Sequence, residues 1–335
     1  MTGLPEVVCL GEALIDLVSL RTGIGLDGAP GFRKAAGGAP ANVAVGAARL
    51  GRRAAFLGSV GDEPLGRFLT EQLARYGVDV GTVVRLTDRQ TALAFVSLRA
   101  DGDRDFLFHG TRPAHLGLRL TSAMRERIRH ARVFHFGSIS LIADPSRRAT
   151  LTALREARAA GVFCSYDPNL RRDLWPDART ARRRLREVVD ATDCVKVNAE
   201  ELRFMTGETD LDRGLRALTR MGPSLVVATL GPAGCAYAGR AGEGQVPGFP
   251  AKAIDTTGAG DAFVAAMLVG LLEDSDGRPL AVPDRSALEA ILAFANATAA
   301  LSTERRGGIP SLPGRRRVSA FLRAHGAPTL ARQGA

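Results

Sequence analysis

The sequence predicts an α/β protein with a doubly wound, mostly parallel sheet, helices on both faces of that sheet and a small antiparallel β lid. Two observations predict it. Short β-branched runs alternate with helical patterns along most of the chain, and two segments interrupt this alternation. With 335 residues, 45% of them hydrophobic, the chain can bury a large core. We expect one domain over residues 1–335, with the lid formed by about 15–32 and 91–112.

The alternation begins near the N-terminus and keeps the same order, a strand-like run and then a helical pattern. The pairs are VVCLGEAL with APANVAVGAARLG, AAFLGSV with PLGRFLTEQLARYG, RVFHFGSI with PSRRATLTALREARAAG, VFCSYDPN with RTARRRLREVVD, and CVKVN with AEELRFMTG. SLVVATLG then precedes a hairpin-like segment, and long helices are expected at 262–272 and 285–302. Strands joined through helices pair in parallel, because the crossover returns the chain to the same end of the sheet.

The two interrupting segments lack the helix that a parallel crossover needs. Residues 15–32 are rich in glycine, and residues 91–109 alternate like a hairpin with a turn at Asp101–Asp103. We expect them to form the lid over one edge of the main sheet. That edge lies close to the strand ends, where α/β folds bind ligands.

Composition excludes several classes of protein. No apolar run approaches the ~20 residues that span a bilayer, and the N-terminus lacks the basic segment of a signal peptide. We therefore expect a cytoplasmic protein with no membrane partner.

The four cysteines, Cys9, Cys164, Cys194 and Cys235, are far apart and form no Cys-x-x-Cys pair. They are expected to be buried free thiols rather than zinc ligands or disulfides.

The chain is strongly basic, with a net charge of +10 and a pI near 10.4. Only three of its 45 basic residues are lysines, and the arginines are spread along the whole length. The clusters at 182–184 and 315–317 fit exposed helix faces and have no aromatic platform between them. We therefore expect no nucleic-acid partner; surface arginines and attraction for anionic metabolites explain the charge.

Polar residues near the first strand and helix are candidates for a substrate site. Asp16 follows the first strand, where a carboxylate can bind two sugar hydroxyls or remain a solvated surface charge. In GGAPAN, Gly37 and Gly38 let the backbone approach a ligand, and the Asn42 amide can donate to and accept from a hydroxyl. A loop followed by an ordinary helix cap explains the same stretch.

Two later strands also end in polar residues. In DPNLRRDLW, Asn169 and Arg171 can meet a polar substrate and an anionic phosphate, or can belong to an Asp-Pro turn with solvated arginines. In KVNAEE, Asn198 and Glu201 fit an ordinary capping box. The alternative places Asn198 near nucleotide phosphates and Glu201 near a hydrated magnesium ion.

The stretch DTTGAGDAF combines small residues, a carboxylate and the start of an apolar helix. Gly258, Ala259 and Gly260 can turn consecutive N–H groups inward as an anion hole at the positive end of the helix. Asp261 stands where a substrate hydroxyl meets that hole, and it can take a proton late in phosphoryl transfer. We expect the helix N-terminus to lower the pKa of Asp261. A plain helix cap is the alternative.

The chain contains no GxxxxGK[ST] loop, and no GxGxxG opens the first helix, so neither of those nucleotide-binding classes applies.

GGAPANVAVGAARLG early and DTTGAGDAF late closely resemble the two signatures of the ribokinase-type (PfkB) sugar kinase family. GEALIDLV, FGSISL, YDPNLRRDLW, VKVNAEEL and TLGPAGC are similar to its fructokinase branch. The resemblance implies a ribokinase-like fold and ATP-dependent phosphorylation of a sugar hydroxyl, most readily of fructose. It also implies magnesium and potassium ions as cofactors, and a homodimer formed through the lid.

The resemblance also implies roles for individual residues. Asp261 resembles the catalytic base, with Gly258, Ala259 and Gly260 as the anion hole. The other positions are, for the sugar, Asp16, Gly37, Gly38, Asn42, Asn169 and Arg171; for ATP, Asn198, Thr229, Gly231, Gly234, Gly260 and Asn296; for a monovalent cation, Asp255, Thr257, Ser302, Arg305, Gly307 and Ser311; and, for magnesium through water, Glu201.

One stretch departs from the pattern of the fructokinase branch. After the lid hairpin this chain reads HGTRPAH, with Gly110 at an arginine position and His115 at an aspartate position. We expect Arg112 to compensate in binding the substrate. The alternatives within the kinase class are a 2-keto-3-deoxygluconate kinase, an aminoimidazole riboside kinase and a ribokinase. The alternative outside the kinase class is a nucleotide- or sugar-sensing regulator, which would not need the base Asp261.

Overall fold

A computed structural model describes residues 3–98 and 104–330, and fifteen strands lie in that part of the chain. They are β1 (Val7–Leu10), β2 (Leu14–Ser19), β3 (Phe32–Gly37), β4 (Ala54–Leu57), β5 (Ser59–Gly61), β6 (Val78–Asp79), β7 (Val84–Leu86), β8 (Leu93–Leu98), β9 (Arg104–His109), β10 (Val133–Gly137), β11 (Phe163–Asp167), β12 (Cys194–Asn198), β13 (Leu225–Thr229), β14 (Gly234–Gly239) and β15 (Gly242–Pro247).

Nine of these strands form the main sheet, in the order β15-β14-β13-β12-β11-β10-β1-β4-β6. From β13 to β6 every neighbouring pair is parallel, whereas β14 and β15 form an antiparallel hairpin at one edge. The central strands are apolar on both faces because helices cover both sides. The predicted mostly parallel sheet and its hairpin are therefore confirmed.

The helices divide between the two faces of this sheet. The described α-helices are α1 (Ala39–Arg49), α2 (Pro64–Arg75), α3 (Ser122–His130), α4 (Ser146–Ala159), α5 (Ala178–Arg186), α6 (Ala199–Thr206), α7 (Leu211–Thr219), α8 (Ala259–Asp274), α9 (Arg285–Thr303), α10 (Gly308–Ser311) and α11 (Arg315–Ala324). One core contains residues of α1, α2, α8, α9 and α11, and the other contains residues of α3 to α7. Helix α8 packs between α1 and α9, so residues 261–272 are all buried. None of the helices in the described ranges combines the length and the apolar character needed to cross a membrane.

A four-stranded sheet, which we call the lid, stands over the edge of the main sheet in the order β3-β2-β8-β9. Its outer pairs, β2 with β3 and β8 with β9, are antiparallel as predicted, and a parallel pairing of β2 with β8 joins them. Strand β3 shares only Phe32 with the predicted segment 15–32, because its sequence FRKAAG carries only a weak strand pattern. The predicted turn at Asp101–Asp103 lies outside the described residues.

Helices α3 and α7, as well as the short α10, were not expected from the sequence. Helix α3 buries only Met124 and Ile128, and helix α7 buries little more than Leu215 and Leu218. So few apolar positions make a weak periodic pattern. Both helices begin at side-chain caps, Thr121 and Asp210, which accept backbone hydrogen bonds from Met124 and Arg213.

Candidate active site

The loops that follow β1, β11, β12 and β13 meet at the carboxyl edge of the main sheet, under the lid. Three clefts open there, and they contain the residues predicted for the catalytic, sugar and ATP sites except Gly37 and Arg112. This is the position at which open α/β sheets bind ligands.

The polar cleft lies between the lid and the N-terminus of α8. It is lined by Glu12, Leu14, Asp16, Gly38, Ala39, Asn42, Ala94, Phe106, Phe108, Ile139, Asn169, Arg171, Thr257, Gly258 and Asp261. Phe106 and Phe108 come from lid strand β9, and the Arg171 guanidinium lies 5.6 Å from the Phe106 ring centroid. Seven of the predicted catalytic and sugar-site residues therefore line one cleft: Asp16, Gly38, Asn42, Asn169, Arg171, Gly258 and Asp261.

Asp261 is held at the start of α8 by two asparagines. The Asn42 Nδ2 donates to its Oδ2 at 2.7 Å, and Asn169 Nδ2 lies 3.5 Å from its Oδ1. Gly258 caps the helix with φ of 79°, a conformation that favours glycine. Asn169 also has a positive φ, 41°, in a tight turn after β11. The geometry aims the carboxylate of Asp261 into the polar cleft.

The pKa of Asp261 is raised to about 6, mainly because the carboxyl group is buried. Repulsion from Asp167 raises it further, whereas the Asn42 hydrogen bond, Lys196 and Arg171 lower it. The expectation of a lowered pKa was therefore wrong, since loss of hydration outweighs the helix end. At pH 7 most of Asp261 is still ionised, and a base with a pKa near the working pH transfers protons more effectively.

Asp16 is 7% exposed and faces the same cleft. Burial raises its pKa to about 7, and repulsion from Asp261 adds to this. Gly37 stands directly behind it, because a Cβ at Gly37 would lie 2.1 Å from Asp16 Oδ2. Glycine at position 37 thus gives Asp16 its room.

Glu12 belongs to the cleft although the sequence did not single it out. Its Oε1 accepts from the Ala39 N–H at 3.0 Å, and its Oε2 is buried with no hydrogen-bond partner in the described part of the chain. Burial raises its pKa to about 7. The available clue was a glutamate two residues after a fully apolar strand.

The apolar cleft lies on the other side of the α8 N-terminus. It is lined by Thr229, Gly231, Pro232, Gly234, Gly248, Phe249, Ala251, Ala253, Thr256, Ala259, Gly260, Phe263, Asn296, Ala299, Ala300 and Thr303. Five of the six residues predicted for ATP are among them. The sixth, Asn198, lies elsewhere. Asn296 donates through Nδ2 to the carbonyls of Val246 and Pro247, both at 3.1 Å, so its amide nitrogen braces the cleft wall.

The two clefts meet at residues 256–261. Thr256, Ala259 and Gly260 line the apolar cleft, whereas Thr257, Gly258 and Asp261 line the polar one. Of the predicted anion hole, the Ala259 N–H donates to the Thr256 carbonyl at 3.2 Å in this structure. The positive end of α8 therefore stands between the two clefts.

The lateral cleft runs beside the polar cleft and shares Phe106, Phe108 and Arg171 with it. Asn198 and Glu201 line it and form the expected capping box of α6. Both Glu201 oxygens accept backbone hydrogen bonds, from Leu170 at 2.7 Å and from Asn198 at 2.8 Å. Glu201 therefore joins the Arg171 loop to the start of α6.

The residues predicted for a monovalent cation gather behind the α8 N-terminus. Asp255 accepts from the Thr257 N–H at 2.9 Å through Oδ1 and from the Gly307 N–H at 2.8 Å through Oδ2. Its own backbone N–H donates to the Thr303 carbonyl, next to Ser302. Arg305 and Ser311 lie in the turn and the short helix α10 that follow. Asp255 thus connects the anion-hole segment to the end of α9.

Arg112 does not reach the polar cleft. Its guanidinium is largely exposed and pairs with Asp88 at 3.0 Å, outside all three clefts. The expectation that it compensates for the altered lid loop is not supported by this position. His115 is buried at the other end of the loop, and burial lowers its pKa to about 4. The loop therefore contributes no positive charge to the cleft from either residue.

A carboxylate at a helix N-terminus, between a polar cleft and an apolar cleft, fits an enzyme of the phosphotransferase class. The comparisons agree with this. The profile described as pfkB family carbohydrate kinase matches residues 4–315. Fructokinase-1 of Oryza sativa subsp. japonica is 47% identical over 315 residues, which cover 93% of this chain and 96% of the relative.

Solved structures are similar over the same length. The fructokinase of Xylella fastidiosa with bound ATP has a TM-score of 0.84 and 32% identity, covering 96% of this chain and 100% of that one. The fructokinase of Vibrio cholerae O395 with fructose, ADP and calcium has a TM-score of 0.84 and 34% identity, covering 95% and 99%. This chain belongs to the pfkB family of carbohydrate kinases, and the predicted family and fold are confirmed.

Proposed function

We propose that this protein is an ATP-dependent fructokinase, which transfers the γ-phosphoryl group of ATP to a hydroxyl of fructose. The observation that carries the proposal is the junction at residues 256–261, where the apolar and polar clefts meet at the N-terminus of α8. The 47% identity to a rice fructokinase and the similarity to fructokinases with bound ATP or fructose support this choice of substrates.

Asp261 acts as the base in this proposal. Asn42 fixes its Oδ2, so Oδ1 is the oxygen that can take the proton of the attacking hydroxyl. Proton transfer accompanies bond formation to phosphorus, because an alcohol becomes acidic only as that bond forms. The ring of carboxylates and amides in the polar cleft holds the sugar hydroxyls, and Asp16 can bind two at once.

Charge on the transferred group is stabilised from two sides. The N–H groups of the first turn of α8, at Gly258 and Gly260, lie on one side. Arg171, which lines both the polar and the lateral clefts, lies on the other. Phe106 and Phe108 of the lid cover the site, and an apolar cover limits loss of the phosphoryl group to water.

The residues present fit the two expected ions. Glu201 is a buried carboxylate in the wall of the lateral cleft, and it can hold hydrated magnesium, which neutralises phosphate charge when bound. Asp255, Ser302 and Ser311 offer an all-oxygen set for potassium. Asp255 already braces Thr257 and Gly307, so a cation there would stiffen the anion-hole segment.

The charge of the polar cleft favours a neutral sugar. Among the described residues, the charged side chains that line it are Glu12, Asp16 and Asp261, with Arg171 as the cation. A sugar acid such as 2-keto-3-deoxygluconate would bring a further negative charge next to these carboxyl groups in a buried space. Neutral substrates fit better, and fructose is the one that the similar proteins name. The cytoplasmic location and the dimer through the lid stay predictions.

An ATP-consumption assay with magnesium tests the proposal. Fructose, ribose, aminoimidazole riboside and 2-keto-3-deoxygluconate are compared at equal concentrations, with ATP alone as the background. We expect fructose to give the highest kcat/KM by at least about tenfold. Higher activity with another sugar would refute fructose but keep the kinase, and ATP turnover at background with all four would favour a regulator.

A further inference from the structure

A buried ion pair lies beneath the active site, and no role in the reaction has been assigned to it. Lys196 is in β12, a strand that is otherwise apolar up to Val197, and it is only 6% exposed. Its Nζ lies 3.0 Å from Oδ2 of Asp167, which is 3% exposed and ends β11. Burying two charges is costly, and hydrophobic residues of similar volume often serve stability as well or better. Stability alone therefore does not explain the pair.

The pair is next to the reacting groups. A Cβ added at Gly260 would stand 2.9 Å from Lys196 Nζ, so the ammonium group presses against the first turn of α8. Gly260 precedes Asp261 and also lines the apolar cleft. The positive charge thus lies behind the point at which the two clefts meet.

Asp167 has a second contact that reaches the same place. Its Oδ1 accepts from the Asn169 N–H at 3.0 Å, in the turn where Asn169 has a positive φ. The Asn169 side chain in turn lies 3.5 Å from Asp261. One carboxylate therefore holds Lys196 with one oxygen and the Asn169 turn with the other.

We propose that the Lys196–Asp167 ion pair positions and electrostatically tunes Asp261, with Lys196 supplying positive charge behind the start of α8 and Asp167 holding Asn169 against the base. The two are positioning residues, since they act through Asp261 and Asn169. The inference rests on the proposed function, because it gives the pair a role in that reaction.

The two members of the pair act on Asp261 with opposite sign. Asp167 raises the pKa of Asp261 by repulsion, and Lys196 lowers it by attraction. The other charged groups that face the polar cleft with it are Glu12, Asp16 and Arg171. Removal of Lys196 should therefore raise the pKa of Asp261, and removal of Asp167 should lower it. A purely structural role would not give this pattern.

The primary test is an NMR titration of the free protein with 13C-labelled aspartate carboxyl groups. The Asp261 signal is the one lost in Asp261→Asn. We expect Lys196→Met to raise its pKa by about one unit and Asp167→Asn to lower it by about one unit. The double variant Lys196→Met/Asp167→Asn should return it close to the wild-type value.

Kinetics give a second readout. If the pKa moves from about 6 to about 7, the ionised fraction at pH 6 drops from about one half to about one eleventh. Lys196→Met should then lose about fivefold in kcat/KM for the sugar at pH 6 and little at pH 8. If Lys196→Met does not fold, a comparison of the double variant with Asp167→Asn still isolates the effect of Lys196. The pKa of Asp261 must then be higher in the double variant than in Asp167→Asn.

Two results would overturn the inference. One is a pKa of Asp261 that moves in the same direction in both single variants, or that does not move in either. The other is a raised KM for ATP at every pH with an unchanged Asp261 titration, which would mean that Lys196 binds the nucleotide directly. Because the NMR measurement needs neither ATP nor sugar, a protein that phosphorylates none of the sugars would refute the proposed function without deciding this question.

Discussion

Asp16→Asn tests the electrostatics of the polar cleft, because it removes a buried charge without changing the shape of the side chain. Burial and Asp261 raise the pKa of Asp16 from its usual 3.8 to about 7. In the unfolded chain the carboxyl group ionises near its usual pKa, whereas the folded protein keeps the proton up to about pH 7. Asp16 therefore destabilises the fold increasingly as the pH rises from about 4 to about 7, and by a constant amount above that.

Three pKa units correspond to about 4 kcal/mol above pH 7, and the penalty at pH 5 is roughly 2 kcal/mol. Asn removes this penalty but brings its own buried amide, which costs about the same at both pH values. The gain in unfolding free energy of Asp16→Asn should therefore rise by about 2–3 kcal/mol between pH 5 and pH 8. Fructose affinity should fall at least about tenfold, since bonds to a charged acceptor are lost.

Urea unfolding of the wild type and Asp16→Asn at pH 5 and pH 8, without ligands, measures the difference. Asp62→Asn is the matched control, because it makes the same chemical change at an exposed aspartate. Isothermal titration with fructose gives the affinity. A gain that is equal at both pH values, or larger at pH 5, would refute the assignment of a raised pKa to Asp16.

Three further outcomes are expected. Asp261→Asn should keep its affinity for ATP and fructose but lose about 10²–10⁴-fold in kcat, and turnover near the wild-type rate would contradict its role as the base. Gly37→Ala should raise KM for fructose about tenfold, because its Cβ would stand 2.1 Å from Asp16 Oδ2. Gly28→Ala is the control and should be neutral, because its Cβ would meet only ordinary contacts at 3.8 Å. Equal KM values in the two variants would contradict this. Potassium should raise kcat above that in sodium at the same ionic strength, and Asp255→Asn should remove the difference. Equal kcat of the wild type in the two salts would argue against the cation site.

The main sheet could be predicted because its evidence is local. Alternating apolar strands and helical periods are visible in each short stretch, and the parallel order follows from the crossovers between them. The pairing of β2 with β8 could not be predicted in the same way, since residues 14–19 and 93–98 are distant in the chain and no turn connects them. Helices α3 and α7 were missed because few of their residues are buried.

Much of the site was also visible in the sequence, as short motifs with strong local chemistry. Asp261, the glycines before it and Asn42 were found in this way, although Asn42 and Asp261 are 219 positions apart. Glu12 and Lys196 were missed, since a single polar residue beside an apolar strand forms no motif. The pairing of Arg112 with Asp88 could not be predicted, because the two residues are 24 positions apart and nothing local indicates it.

The sequence by itself determined the fold class, the kinase family and the residue types of the catalytic helix start. Only the tertiary structure decided the protonation behaviour of that site. Local reasoning assigned Asp261 a lowered pKa from the helix end, but burial in the folded protein raises it to about 6. The physical reason is that the hydration of a carboxylate depends on everything that surrounds it. Here those surroundings come from β2, β11, β12 and α1, which are far apart in the chain.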